Sequence, residues 1–119
     1  MLKKLLRSFS YAWEGLIYTI KTQLNMQIHL LVLVVVILLG FWVGLNFFEW
    51  SIIIMVSTMV LVAEMLNTAI EAAVDIKTSD YHELAKVAKD VAAAAVLLAS
   101  LAAVLVGIIL IGPKVLLRL

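Results

Sequence analysis

Hydrophobic positions divide the chain into one amphipathic stretch and three long apolar ones. Leu2, Leu5, Leu6, Phe9, Trp13, Leu16, Ile17 and Ile20 recur at helical spacing, and Lys3, Lys4, Arg7, Glu14 and Lys21 lie largely off that stripe. An aromatic-bearing apolar face opposite a basic one predicts that residues 1–24 form a helix lying in a membrane interface, although an amphipathic helix packed on protein has the same pattern. Residues 28–45 are apolar except for His29, enough for a first membrane span at roughly 20 residues per crossing. Asn46–Trp50 is predicted as a tight turn flanked by Trp42 and Trp50, side chains suited to a membrane–water boundary. A second span is expected over 51–68, continuing as helix to Asp75.

Residues 76–90 are polar and are expected to form a loop, with Thr78, Ser79 and Asp80 offering turn and N-cap chemistry. A third span is expected over 91–111. Its Ala92–Ala95 run, with Ala99, Ala102 and Ala103, makes a small-residue face suited to close helix packing, and Gly112 and Pro113 are expected to stop it. The predicted fold is an all-α membrane protein within a single domain.

Composition agrees with a bilayer as solvent. The chain is 66% hydrophobic and 14% charged, more apolar surface than a soluble domain of this size buries. A net charge of +1 and the lack of a basic cluster speak against a nucleic-acid partner. Without cysteine there are no disulfides and no thiolate metal or redox sites. The basic start leads into an amphipathic segment, not the short apolar core of a signal peptide, so the N-terminus is expected to be retained. Seven of the nine Lys and Arg residues lie in the N-terminal segment and in 76–90. The positive-inside rule therefore predicts both of these in the cytoplasm and the C-terminus outside.

The chemistry concentrates in E-M-L-N-T-A-I-E-A-A-V-D, residues 64–75. Glu64, Asn67, Glu71 and Asp75 share one helix face, and the stripe begins inside an apolar run, where an ionisable side chain is costly. Polar groups near a span's end also snorkel or cap, and that reading suits Asp75 best. Glu64 and Glu71 are the stronger functional candidates. Lys77, Asp80, Tyr81, His82, Glu83, Lys86, Lys89 and Asp90 add donors and acceptors, and a lysine at a helix N-terminus suits polyphosphate. Lys89 and Asp90 also read as an interface anchor, and His29 as a headgroup-level or interhelical contact. No Walker A loop, kinase glycine loop or zinc-protease motif is present.

The 64–75 run, followed by D-Y-H-E-L-A-K-V-A-K-D-V-A-A-A-A-V-L-L, closely resembles the small integral-membrane diacylglycerol kinase/undecaprenol kinase family of bacteria. The likeness extends upstream through Y-A-W-E-G-L (11–16) and N-M-Q-I-H (25–29), the latter more like the undecaprenol-type branch. The resemblance implies a homotrimer in the bacterial plasma membrane, each subunit with a surface helix and three transmembrane helices. It implies ATP-dependent phosphorylation of a lipid alcohol, diacylglycerol or undecaprenol, with Mg²⁺. Glu64 matches the catalytic base, Asn67 a supporting polar residue and Glu71 a metal-binding carboxylate. Lys4, Tyr11, Asp80, Tyr81, His82, Lys89 and Asp90 match nucleotide-contacting positions, and Lys4, Trp13, Asn25 and Glu64 lie where the lipid is expected. Two positions depart from the family pattern. Gln23 stands where a second metal-binding Glu is usual, on the nucleotide side, and Gln27 where Arg is common. An amide oxygen ligates a hard cation without the charge, so weaker Mg²⁺ binding or a weakened enzyme is expected.

The competing class is a non-enzymatic membrane protein such as a transporter or channel subunit, because intramembrane carboxylates also mark ion pathways. The third span offers no charged residue between Val91 and Gly112, so an ion path is poorly furnished.

Overall fold

The computed structural model describes residues 1–77 and 80–119, and among these the regular structure is entirely helical. In order, α1 covers Leu2–Thr22, α2 Leu24–Val43, α3 Phe47–Lys77 and α4 Glu83–Arg118. The last three are long and apolar enough to cross a membrane. α2, at 20 residues, is about 30 Å long and matches the hydrocarbon thickness. α3 and α4, at 31 and 36 residues, reach about 46 and 54 Å and outrun it. They pack on each other more extensively than any other pair, and α2 lies against both.

A single residue joins α1 to α2. Gln23 takes extended dihedrals and its N–H still donates to the Thr19 carbonyl at 3.0 Å, closing α1. The Gln27 amide then donates to the Ile20 carbonyl at 3.0 Å, satisfying one of the carbonyls that a helix end leaves open. Gln27, where the resemblance leads to an expected arginine, thus braces the joint. α1 keeps Leu2, Leu5, Leu6, Phe9 and Trp13 exposed on its apolar face, while Leu16, Ile17 and Ile20 are half-buried.

At the opposite end of the bundle α2 stops at Gly44, whose φ of 75° suits glycine. α3 begins at Phe47, earlier than the predicted 51, because Asn46 and Glu49 form a reciprocal cap. The Glu49 N–H donates to Asn46 Oδ1 and the Asn46 N–H to Glu49 Oε2, both at 2.9 Å. Trp50 lies against Gly40, where a Cβ would stand 2.6 Å from the indole, and its ring meets Phe41 at 4.9 Å. Val43, Leu45, Ile53 and Ile111 form the buried core of this end.

Two boundaries differ from expectation. Most of the polar 76–90 segment is the first turns of α4, which starts at Glu83 after His82 caps it: the Leu84 N–H donates to His82 Nδ1 at 3.2 Å. Asp80 lies outside the helix, and the turn expected at Thr78 and Ser79 falls outside the described residues. Nor does α4 stop at Gly112 and Pro113; it runs through both to Arg118. Contacts beyond the proline offset the lost backbone bond: Val115 packs on the core and Lys114 Nζ donates to Glu49 Oε2 at 2.8 Å. The alanine face is only partly used within the chain. Ala92 is buried, Ala99 and Ala103 are half-buried, and Ala93, Ala94, Ala95 and Ala102 are exposed.

Candidate functional site

The 64–75 stripe runs from interior to water along α3. Glu64 is 1% exposed; Asn67 and Thr68 are buried, Glu71 half-buried and Asp75 exposed. Helical spacing aligns these groups, and Met26 and Thr19, on either side of the α1–α2 joint, are buried too. Thr68 donates its hydroxyl to the Glu64 carbonyl at 2.9 Å, so its polar atom is spent on the helix itself. Asn67 Nδ2 donates to Glu71 Oε1 at 3.3 Å, an i,i+4 link that points the Glu71 carboxylate back along the stripe.

Neither carboxylate oxygen of Glu64 has a hydrogen-bond partner among the described residues. The nearest cation-forming group is His29 on α2, whose Nε2 lies 3.8 Å from Glu64 Oε2 and is itself unpartnered. Asn67 Oδ1 on α3 and Ser100 Oγ on α4 are buried and unsatisfied as well. Buried polar groups are ordinarily satisfied, and each one left open costs roughly 1–3 kcal/mol. Glu64 and Asn67, one turn apart on α3, and His29 on α2 thus carry buried polar atoms that the chain itself leaves open. His29, a weak candidate in the sequence, belongs to this site; spacing along one helix cannot reveal a partner on another.

About three turns further along α3 a second, polar site opens. A cavity of about 460 Å³ lies between the end of α3 and the start of α4, lined by Val74, Asp75, Asp80, Tyr81, His82, Ala85, Lys86, Lys89 and Asp90. This is the size of small-molecule sites in general. Of the residues of 80–90 named from the sequence, Asp80, Tyr81, His82, Lys86, Lys89 and Asp90 line it and Glu83 does not; Asp75 joins them from α3. Lys89 Nζ reaches across to Asp75 Oδ1 at 2.6 Å, and this carboxylate holds the ammonium above the ordinary lysine value. Lys86 pairs with Asp90 along α4. His82 serves two purposes here, as helix cap and as cavity wall.

The remaining sequence candidates stand apart from this cluster within one chain. Lys4, Tyr11, Trp13 and Asn25 are exposed on α1 and at the start of α2. No hydrogen bond or ion pair among the described residues links them to Glu64, Glu71 or Lys89. Gln23 is half-buried at the joint, with its amide nitrogen donating to Thr22 Oγ1 at 3.2 Å. Among the described residues no three His, Asp or Glu side chains converge as a cage for a metal ion.

Comparison with known proteins places these features. The model of the prokaryotic diacylglycerol kinase family matches residues 10–111, which hold α2, α3, most of α1 and most of α4. The diacylglycerol kinase of Synechocystis is 46% identical over 113 residues, 94% of this chain and 65% of that protein, so the chain spans about two-thirds of this relative's length. The undecaprenol kinase of Bacillus subtilis is 38% identical over 113 residues, covering 95% of this chain and 92% of the relative. The diacylglycerol kinase of Escherichia coli K12 is 31% identical over 108 residues, covering 91% and 88%. With α2, α3, most of α4, the buried Glu64 and the polar cavity inside the matched segment, this chain belongs to the prokaryotic diacylglycerol kinase family.

Proposed function

We propose that the chain is an ATP-dependent lipid kinase that phosphorylates the primary hydroxyl of a membrane lipid alcohol, undecaprenol or diacylglycerol, at the cytoplasmic face. One observation carries this reading. A buried carboxylate with both oxygens unpartnered shares a helix with a polar cavity that holds Lys89. The first suits a hydroxyl that arrives through the membrane, the second a polyphosphate that arrives through water.

In this reading Glu64 accepts the proton of the lipid hydroxyl as its oxygen attacks the γ-phosphorus of ATP. The P–O bond to ADP breaks in line, and ADP leaves with the electron pair. His29 stands beside Glu64, where the proton can be shared. Lys89 and Lys86 offset phosphate charge, Tyr81 and His82 wall the nucleoside, and Asp80 and Asp90 shape the polar end. Such positioning and electrostatics supply most of phosphoryl-transfer catalysis, so the absence of standard kinase motifs is no obstacle.

Mg²⁺ fits the donor set that is present. This cation typically takes one or two carboxylates and completes its shell with phosphate oxygens and water, so no cage of three protein ligands is required. Glu71, oriented by Asn67, would hold it, with the Gln23 amide oxygen as a neutral second ligand. When bound, the ion neutralises charge on the phosphates.

Lys4, Tyr11, Trp13 and Asn25 remain exposed in one chain, and this supports a homotrimer in which a neighbouring copy closes the site. The multi-pass chain then has its N-terminus and the 76–90 segment in the bacterial cytoplasm, with the C-terminus outside. The test is radiolabelled ATP with the purified protein in micelles, offering undecaprenol and diacylglycerol side by side. Label in either lipid is expected; label in neither, with the protein folded and Mg²⁺ saturating, sinks the kinase reading.

A further inference from the structure

Each phosphoryl transfer leaves one proton on the Glu64 carboxylate, which has to shed it before accepting the next. Water does not reach this group directly. Glu64 is 1% exposed, and neither of its oxygens has a hydrogen-bond partner among the described residues. Its neighbours on α3 offer no way out. Asn67 carries an amide, which takes up no proton, and the Thr68 hydroxyl is spent on the Glu64 carbonyl. Glu71 lies seven residues on, about 10 Å at 1.5 Å per residue.

His29 is differently placed. Its Nε2 lies 3.8 Å from Glu64 Oε2. One bridging water, or a shift of about 1 Å, completes a hydrogen-bonded link. That nitrogen is buried and unpartnered, whereas the side chain as a whole is 21% exposed. Four residues earlier, on the same face of α2, stands Asn25, which is exposed. Exposure thus rises in steps from Glu64 through His29 to the polar start of α2. The other helices bring no competing proton acceptor. α4 has no charged residue between Val91 and Gly112, and beside His29 it contributes the Ser100 hydroxyl. On α1 the charged residue nearest in sequence, Lys21, is exposed. Imidazole exchanges protons near neutral pH and has two nitrogens, so it can gain a proton on one side and lose one on the other.

We infer that His29 is the proton exit of this site, taking the transferred proton from Glu64 at Nε2 and releasing one from Nδ1 toward Asn25 and the water beyond. The inference rests on the proposed lipid-kinase reading and goes beyond it, to the step that resets the base between turnovers. The balance closes on one proton per phosphoryl group. The acceptor's O–H bond breaks to Glu64 as its oxygen bonds to phosphorus. The proton then moves from Glu64 to Nε2, which restores the carboxylate. Nδ1 gives its proton to water, which restores a neutral imidazole, and exchange with water resets the tautomer. In this role His29 acts through Glu64, after the chemical step.

Loss of an exit used after the chemical step slows the second turnover and spares the first. The test is rapid-quench lipid phosphorylation by the full-length protein in micelles, comparing wild type, His29→Gln and His29→Ala. Nε2 has no partner, so neither variant breaks a hydrogen bond at that atom. Both variants are expected to phosphorylate one lipid per site in a burst at the wild-type rate, which also shows that they are folded. The steady rate that follows should be lower by roughly 10²-fold, the low end of what positioned proton transfer contributes. The KM for ATP should not change. Added imidazole should restore the steady rate of His29→Ala, where it finds room, and leave His29→Gln slow, because the amide fills the space. A first turnover slowed as much as the later ones would show that His29 serves the fold or the orientation of Glu64, and the proposal fails. Steady rates equal to wild type, or a His29→Ala rate indifferent to imidazole, overturn it as well. These outcomes leave the kinase reading intact. That reading fails separately, and the proton exit with it, when wild type itself labels no lipid.

Discussion

Glu64 Oε2 and His29 Nε2 face each other at 3.8 Å across α2 and α3, too far for a hydrogen bond and close enough for one intervening donor to touch both. A lipid hydroxyl placed there meets a proton acceptor and a group able to share the proton. Neither residue has another partner at these atoms.

Replacing Glu64 by Gln tests that site from two sides. The amide keeps the shape and removes the charge, so lipid phosphorylation should fall at least 10²-fold, the usual scale for a general base. The same change relieves a buried unpaired carboxylate. Thermal stability in micelles should therefore hold or rise, by about 1 kcal/mol, as happens where function has been placed at the expense of stability. Normal turnover in this variant sinks the base assignment.

Asn67→Ala removes the hydrogen bond that orients Glu71. If Glu71 holds Mg²⁺, the variant should need a higher Mg²⁺ concentration for half-maximal rate, with a maximal rate reduced by roughly tenfold, about the 1.4 kcal/mol of a typical hydrogen bond. An unchanged Mg²⁺ curve would remove Asn67 from that role.

Gln23→Glu places a carboxylate at the α1–α2 joint, where the proposed reading puts a second Mg²⁺ ligand. The half-maximal Mg²⁺ concentration is expected to fall, while that for the lipid stays as it was. A titration in which the two variants' curves superimpose on wild type would place the metal away from both Gln23 and Asn67.

Asp75 holds the Lys89 ammonium above its ordinary value. A raised lysine contributes stability that is fully present below the unfolded-state value and is lost as pH rises through the folded-state value. Asp75→Asn should therefore leave stability flat across neutral pH and move only the alkaline limb, downward in pH. The exposed pair is screened by solvent, so the effect on folding is small. Lys89→Ala should instead raise the KM for ATP by roughly tenfold through loss of a charge-assisted contact, with little change in melting temperature.

Gly40→Ala places a methyl group 2.6 Å from the Trp50 ring. Overpacking of this kind typically costs about 1–3 kcal/mol. The expected result is a lower melting temperature with the KM for ATP unchanged, because the contact lies at the end of the bundle away from Asp75 and Lys89.

Helical periodicity and apolar run length made the four helices legible, since both follow from backbone geometry and the thickness of a bilayer. Their ends were less so. Asn46 and Glu49 carried a readable capping pair three residues apart, whereas His82 as a cap had no comparable signal, histidine being a rare one. Pro113 reads as a stop and is overridden by Lys114 and Val115, whose partners lie far away in sequence. For the site, the Glu64–Asp75 stripe was visible because one helix carries it. The Lys89–Asp75 bridge and the approach of His29 to Glu64 were not, because each depends on how two helices pack.

α3 is about half again as long as the membrane is thick, and its polar stripe begins where the apolar stretch gives out. Such a rod stands in two solvents at once. A molecule dissolved in lipid and a molecule dissolved in water can each approach it from its own side, and neither has to cross the phase boundary to come within reach of the other.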